Sequence, residues 1–328
     1  MERLFLLTLI QISGILCQMN NTEINDILSK CISLKPRELI ISDLKWKYLI
    51  RAVLRSKNVM IIGPTGCAKT FATHCIAKAL NRPFEKFNIG STDDARATLI
   101  GNTTYKKEIG TIFHKSTFVN AITTPNTIVL LDELTRGTHA AWNILFPVLD
   151  PLQRYLRLDE NESGETIKVA DGVCFIATAN IGTEYTSTRV LDKALARRFP
   201  VKLEMPLLTE DELKHLFGIL FPDATPDQKK LMKTLASISD DLIAQCQLED
   251  AKITSVISPA NIIEMCYLIL DGFNLEEIAE AAIYPDYPDE SGADSERVFV
   301  RSVCQKYFPK NVKSPIHDPL VNRNKADF

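Results

Sequence analysis

The densest chemical signal in the chain is the run Val59-Met60-Ile61-Ile62-Gly63-Pro64-Thr65-Gly66-Cys67-Ala68-Lys69-Thr70. An apolar, β-branched stretch ends in a loop that fits G-x-x-x-x-G-K-[ST] at every fixed position. Gly63 and Gly66 leave the backbone free to wrap closely round phosphates, with its N–H groups turned inward. Lys69 then reaches the β- and γ-phosphates, and the Thr70 hydroxyl can sit on Mg²⁺. From Ala68 the sequence is helical, with Phe71, Cys75, Ile76 and Leu80 on one face, so a helix N-terminus also faces the anion. Gly63, Pro64, Thr65, Gly66, Cys67, Ala68, Lys69 and Thr70 are therefore the expected nucleotide-binding residues.

Three further groups could complete the chemistry. The strand-like run Ile128-Val129-Leu130-Leu131 ends in Asp132-Glu133. At the carboxyl end of a parallel strand beside the phosphate loop, Asp132 can hold Mg²⁺ through water, and Glu133 can polarise an attacking water. The run Phe175-Ile176-Ala177-Thr178-Ala179 ends in Asn180, whose neutral amide can hold that water or sense the γ-phosphate without adding charge. Finally, Leu191-Asp192-Lys193-Ala194-Leu195-Ala196-Arg197-Arg198-Phe199 sets two arginines between a helix and a strand. A guanidinium stabilises charge on a transferring γ-phosphoryl group; an ordinary surface salt bridge is its other use.

Positioning these groups calls for strands that alternate with helices. Val59–Ile62, 83–88, 127–131, 173–177 and 201–205 read as strands. Helices are expected over 93–100, 117–123, 138–149 and 191–197. The pattern implies a parallel sheet covered on both faces. Residues 104–113 suggest a hairpin or an irregular insertion. Tyr155–Leu158 and 166–169 flank a polar loop, so a β-hairpin is expected there. Residues 20–56 read as helical, ending in a basic stretch (Lys45, Lys47, Arg51, Arg55, Lys57) interleaved with Trp46 and Tyr48, taken as a solvated helix face. From Pro206 the character is helical only. Thr209-x-x-Glu212, Thr225-Pro226-x-Gln228 and Asn274-x-x-Glu277 are capping-box patterns, and Ser258-Pro259 puts proline at a first helical position. Residues 284–294 read as a loop and 296–308 as a last helix. The division expected is a helical extension over 1–40, an α/β nucleotide-binding domain over 41–206, a helical lid over 207–308 and a polar tail over 309–328.

Composition bounds the function classes. The 328 residues are 45% hydrophobic and 24% charged with net charge −3, which gives no global attraction to nucleic acid or anionic membrane. The eight cysteines are scattered without C-x-x-C, which suits buried thiols in a reducing compartment, hence the cytoplasm. Leu4–Leu16 is apolar, but it lacks a basic n-region and an A-x-A site. It reads as an N-terminal helix, or as an extension upstream of a start at Met19, rather than an export signal.

Taken in this order, the motifs resemble the AAA+ ATPases over about residues 40–308: Walker A at 63–70, Walker B at Asp132-Glu133, sensor 1 at Asn180, and an arginine finger at Arg197 or Arg198. Leu130-Leu131-Asp132-Glu133-Leu134-Thr135-Arg136, Leu145-x-x-x-Leu149-Asp150, and Ala177-Thr178-Ala179-Asn180 with Gly182-Thr183-Glu184-Tyr185 look like the MoxR/CbbQ/CobS and dynein-related branch. In that branch a hairpin precedes sensor 1, as 155–169 would here, and an insertion interrupts a helix near 101–115. The resemblance implies a P-loop fold with a helical lid, and Mg²⁺-dependent ATP hydrolysis in a ring, usually a hexamer. It also implies remodelling of a protein partner, often one with a von Willebrand A-type domain. A nucleic-acid motor or loader and a low-turnover nucleotide-dependent scaffold are the alternatives; a nucleotide kinase fits the sensor and paired arginines poorly. Two positions depart from the branch: Thr135 stands where it has Asn, and Ala260 where it has the sensor 2 arginine.

Overall fold

The computed structural model describes residues 20–308 except 93, 109, 160–163, 181–191, 249 and 291. The apolar 4–16 stretch, most of the 159–165 loop tip, Gly182–Tyr185 and the 309–328 tail lie outside these residues. The chain divides between Leu207 and Leu208 into two compact units.

The first unit opens with α1 (Asn21–Lys30), closed by a capping box between Asn20 and Glu23, and α2 (Asp43–Leu54), capped by the Ser42 hydroxyl. The helical reading of 20–56 therefore needs correction: residues 35–42 are not helical. Pro36 disfavours the helical region for the residue before it, and Lys35 is extended at φ −72°, ψ 121°. Nor is the basic stretch evenly interleaved with exposed rings. Trp46 is fully buried and its indole N–H donates to the Cys31 carbonyl at 2.7 Å.

The chain then runs β1 (Val59–Ile62), α3 (Lys69–Ala79), β2 (Phe84–Asn88), α4 (Ala95–Leu99), β3 (Gly101–Lys106), β4 (Gly110–Lys115), α5 (Thr117–Thr123), β5 (Ile128–Asp132), α6 (His139–Leu149), β6 (Tyr155–Leu158), β7 (Glu165–Lys168), β8 (Cys174–Ala179), α7 (Lys193–Arg197) and β9 (Val201–Glu204). Five of these strands form a parallel sheet in the order β2-β5-β8-β1-β9. The fold is thus the expected α/β P-loop architecture. Residues 101–115 form a regular antiparallel hairpin, β3–β4, and β6–β7 forms the second.

The apolar runs are continuous because both faces of the sheet are covered. Ile128 and Leu130 of β5, with Cys174 and Ile176 of β8, pack among Trp46, Leu49 and Ile76. Their neighbours Val129, Leu131, Phe175 and Ala177 face the opposite layer with Phe118, Trp142 and Leu145. A period of two along each strand therefore needs apolar residues at every position.

The second unit is helical: α8 (Glu210–Leu220), α9 (Pro226–Cys246), α10 (Pro259–Leu270), α11 (Leu275–Ile278) and α12 (Glu296–Gln305). The capping boxes at Thr209, Thr225 and Asn274 form as read, and Ser258 caps α10. Leu213, Phe217, Leu235, Ile262, Tyr287 and Val303 are among its buried core. The 284–294 stretch is not all loop; it holds short 3-10 turns at Tyr284–Asp286 and Gly292–Asp294. No helix among the described residues is long and apolar enough to cross a membrane.

Candidate active site

Strand order explains how distant residues converge. In the sheet, β8 lies between β1 and β5, and Ile62 is level with Ala179 while Leu131 is level with Ala177. The loop after β1, the carboxylates ending β5 and the amide after β8 therefore emerge side by side at the carboxyl edge of the sheet. In open α/β sheets that edge is where ligands bind.

The phosphate loop is tightly bound to its surroundings. The Gly63 N–H donates to the Ala179 carbonyl at 3.1 Å, and a Cβ at Gly63 would lie 2.0 Å from the Met205 carbonyl oxygen, so only glycine fits. Gly66 has φ 82°, and Ala68, which caps α3, has φ 64°. A left-handed alanine is sterically disfavoured, and the loop holds it there so that α3 starts with its N–H groups towards the loop. The Lys69 ammonium lies within the loop and donates to the Gly63 carbonyl at 2.9 Å and the Pro64 carbonyl at 2.5 Å. Burial pushes its pKa down, opposed by Cys67, Asp132 and Glu133. Burial also raises the Cys67 thiol, so it stays a neutral wall of the loop.

Asp132 is the hub. The Thr70 hydroxyl is 3.3 Å from both of its oxygens, the Thr178 hydroxyl donates to Oδ1 at 2.5 Å, and the Lys86 ammonium is 2.7 Å from Oδ2. Burial pushes the carboxyl pKa up, but the bonds from Lys86 and Thr178, the Lys86 charge and Thr70 outweigh it and hold it below the ordinary value. Glu133 follows with φ 53° and ψ 41°. Its N–H donates to Thr178 Oγ1 at 2.9 Å, and its carboxylate takes Arg136 Nη1 at 3.3 Å. Trp142 pins the turn beyond by donating to the Leu134 carbonyl at 3.0 Å. Thr135 is buried there, and its hydroxyl has no partner among the described residues. Asn180 is buried and donates to Thr65 Oγ1 at 3.5 Å, which ties the β8 terminus to the phosphate loop.

Lys69, Thr70, Asp132, Glu133 and Asn180 are thus brought together. The arginine pair is not. Arg197 and Arg198 precede β9, whose first residue donates back to the Asn58 carbonyl ahead of β1, so they sit at the amino ends of the strands. Four strand residues at ~3.3 Å each separate that edge from the phosphate loop. Arg198 is committed within its own chain: it donates to the carbonyls of Phe146 (3.1 Å) and Ala194 (2.9 Å), pairs with Asp150 (3.3 Å) and stacks on Phe146. Arg197 is exposed and carries none of these ties. Both line a cavity of about 520 Å³ with Lys57, Asn58, Arg154 and Asp171.

Sequence reasoning gave no role to Lys86, Thr178 or Arg136. Thr178 and Arg136 stand inside the runs that carry the resemblance, and Thr178 is also the one hydroxyl in a run of apolar and small residues on a buried strand; Lys86 left no trace. In the second unit Ala260 is exposed in the first turn of α10, while Lys252 lies over the Phe299 ring at 5.5 Å.

The chain is similar to known proteins over part of its length. "Putative chaperone BssE" of Thauera aromatica is 38% identical over 146 residues, covering 44% of this chain and 49% of BssE. "Uncharacterized protein YojN" of Bacillus subtilis is 30% identical over 199 residues, covering 60% of this chain and 62% of YojN. The chain thus spans about half to under two thirds of the length of these relatives. Among solved structures, a chain of the "Closed State CryoEM Reconstruction of Hsp104:ATPyS and FITC casein" overlays at TM-score 0.48 and 16% identity, covering 63% of this chain and 40% of that one. One family model matches the stretch that contains the phosphate loop, the carboxylates, Asn180 and both arginines: residues 58–199 match the AAA domain of the dynein-related subfamily.

Proposed function

We propose that the protein is a Mg²⁺-dependent ATPase that works as an oligomeric ring and remodels a protein partner, in the manner of the MoxR/CbbQ branch. The observation that carries the reading is the convergence of Lys69, Thr70, Asp132, Glu133 and Asn180 at the carboxyl edge of one parallel sheet. The residues fit a nucleotide and its metal. The Lys69 ammonium lies within the loop, where it can meet phosphate oxygens, and Thr70 and Asp132 present a hard, oxygen-only donor pair. Bound Mg²⁺ would neutralise charge on the β- and γ-phosphates, held by the Thr70 hydroxyl directly and by Asp132 through water.

The chain's own groups supply the rest. Lys69 exchanges its bonds to the Gly63 and Pro64 carbonyls for phosphate oxygens. Glu133 accepts a proton from the attacking water once its carboxylate leaves Arg136. Asn180, tethered through Thr65, orients that water or senses the γ-phosphate. Arg197 lies at the far end of the strands from its own phosphate loop, so it serves the nucleotide of a neighbouring copy. Arg198 holds the local backbone through Phe146 and Asp150. A protein substrate is supported by the chaperone name of the BssE relative and by the weak net charge, which favours no nucleic acid.

The test is ATP turnover by the purified chain and two variants. Lys69→Ala abolishes nucleotide binding while the fold survives. Glu133→Gln keeps binding and hydrolyses at least 100-fold more slowly, on the order expected when general-base assistance is lost. Full turnover by Glu133→Gln, or tight calorimetric ATP binding by Lys69→Ala, refutes the assignment.

A further inference from the structure

Asp132 receives three donors, and they are not alike. Thr70, in the first turn of α3, and Thr178, on β8, offer neutral hydroxyls; among the described residues Lys86 is the only cation bonded to this carboxylate. Lys86 comes from β2, which forms the edge of the sheet, and its backbone is level with Leu130 rather than Asp132. Its stem must lean along the strand over two residues, ~6–7 Å, to place the ammonium on Oδ2. The side chain of Lys86 is 45% exposed and that of Asp132 only 11%. The carboxylate is therefore largely enclosed, whereas the ammonium's side chain stands nearly half in water and can turn out into solvent.

Arginine would grip the carboxylate with a planar fork, whereas lysine offers a single point charge on a flexible stem. Half-exposed pairs of this kind are weak and exchange readily. Oδ2 is also an oxygen of the carboxylate that the proposed function assigns to the metal. A cation already sits where a second, divalent one has to act.

We propose that Lys86 is the built-in counter-cation of the metal-side carboxylate. A hydrated divalent ion enters by taking Asp132 Oδ2 from this ammonium, and Lys86 thereby sets the Mg²⁺ concentration that tight nucleotide binding requires. The inference rests on the reading of Thr70 and Asp132 as the Mg²⁺ side of the site. Without Mg²⁺, the ammonium keeps a largely buried carboxylate compensated; with it, the ammonium is released to solvent from an edge strand.

The experiment titrates MgCl₂, at constant ionic strength, against binding of a fluorescent ADP analogue by the full chain, Lys86→Met and Lys86→Arg. Lys86→Met lowers the half-saturating Mg²⁺ concentration by roughly three- to tenfold, the scale of one partly exposed ion pair. Its affinity for the analogue in EDTA stays within about threefold, also on that scale. Lys86→Arg restores a high Mg²⁺ requirement, because the charge is back. A Lys86→Met titration that superimposes on the unmodified chain, or shifts to higher Mg²⁺, overturns the proposal while leaving the metal reading intact. If binding by the unmodified chain ignores Mg²⁺ altogether, the metal reading itself falls, and the proposal falls with it.

Discussion

Thr178→Val removes one oxygen from the centre of the site and leaves its volume almost unchanged. That oxygen bridges the two carboxylate residues: it donates to Asp132 Oδ1 at 2.5 Å and accepts from the Glu133 N–H at 2.9 Å. Thr178 is 1% exposed, so water cannot replace it. A hydrogen bond to a charged group is worth about 1.5–3 kcal/mol, and leaving a buried N–H unpaired costs about 1–3 kcal/mol. Since the losses share one atom and neighbours relax, about 2–4 kcal/mol is the expected destabilisation. Both tryptophans of the chain, Trp46 and Trp142, are buried in the same unit as Thr178, so their fluorescence in urea reports the right transition. The pH dependence follows from linkage. The Asp132 pKa lies below its unfolded value, so its stabilising contribution is complete above the unfolded value of about 3.9 and is lost as pH falls through the lower folded value. The difference between the variant and the unmodified chain should therefore be flat from pH 5 to 8. A loss below about 0.5 kcal/mol, the size of an ordinary surface change, would refute the bridging role. A loss that grows or shrinks steeply between pH 5 and 8 would refute the protonation argument.

The arginine pair should separate by assay. Arg198→Ala removes two carbonyl bonds, an ion pair and a stacked ring, and should lower stability by about 2–3 kcal/mol in the same urea titration. Arg197→Ala should leave stability within about 0.5 kcal/mol yet cut ATP turnover by ~10³-fold or more, with partial rescue on mixing with Lys69→Ala protein. Full turnover by Arg197→Ala would remove it from the reaction. Ala260→Arg, at an exposed position in the first turn of α10, should tighten ATP by about tenfold over ADP by calorimetry, on the scale of a charge-assisted hydrogen bond of about 1.5 kcal/mol. Equal or unchanged affinities would mean that this helix does not meet the nucleotide as the resemblance implies.

What could be read in advance was whatever lies along the chain. The phosphate loop is a local pattern, and β5 and β8 announce themselves because burial on both faces forbids polar residues in Ile128–Leu131 and almost forbids them in Cys174–Ala179. Helix starts were legible for the same reason, since a capping box closes within four residues at Thr209, Thr225 and Asn274. Contacts between strands were not. Lys86 meets Asp132 across 46 residues, and Thr178 meets it across another 46, because β5 is paired with β2 on one side and β8 on the other. No spacing rule encodes that order. The break at Lys35-Pro36 was visible as a proline, yet the amphipathic stretch on either side of it concealed the boundary.

The same strand order decides what one chain can do alone. Every group at the carboxyl edge is supplied in cis, down to the hydroxyl that binds the two carboxylate residues together. The cation that the proposed function assigns to the reaction, Arg197, is fixed by the sequence just before β9, and parallel strands carry their beginnings and ends to opposite edges. Arg197 could approach its own phosphate loop only if β9 left the sheet, which would break its pairing with β1 at Val59, Met60, Ile61 and Ile62. An exposed guanidinium at one edge and a phosphate loop at the other are, by contrast, complementary between two copies in the same orientation. Such a contact is heterologous and closes only as a ring or extends as a filament. Under the proposed function, assembly is thus a chemical requirement written into the topology of the sheet, and turnover per chain should rise with protein concentration.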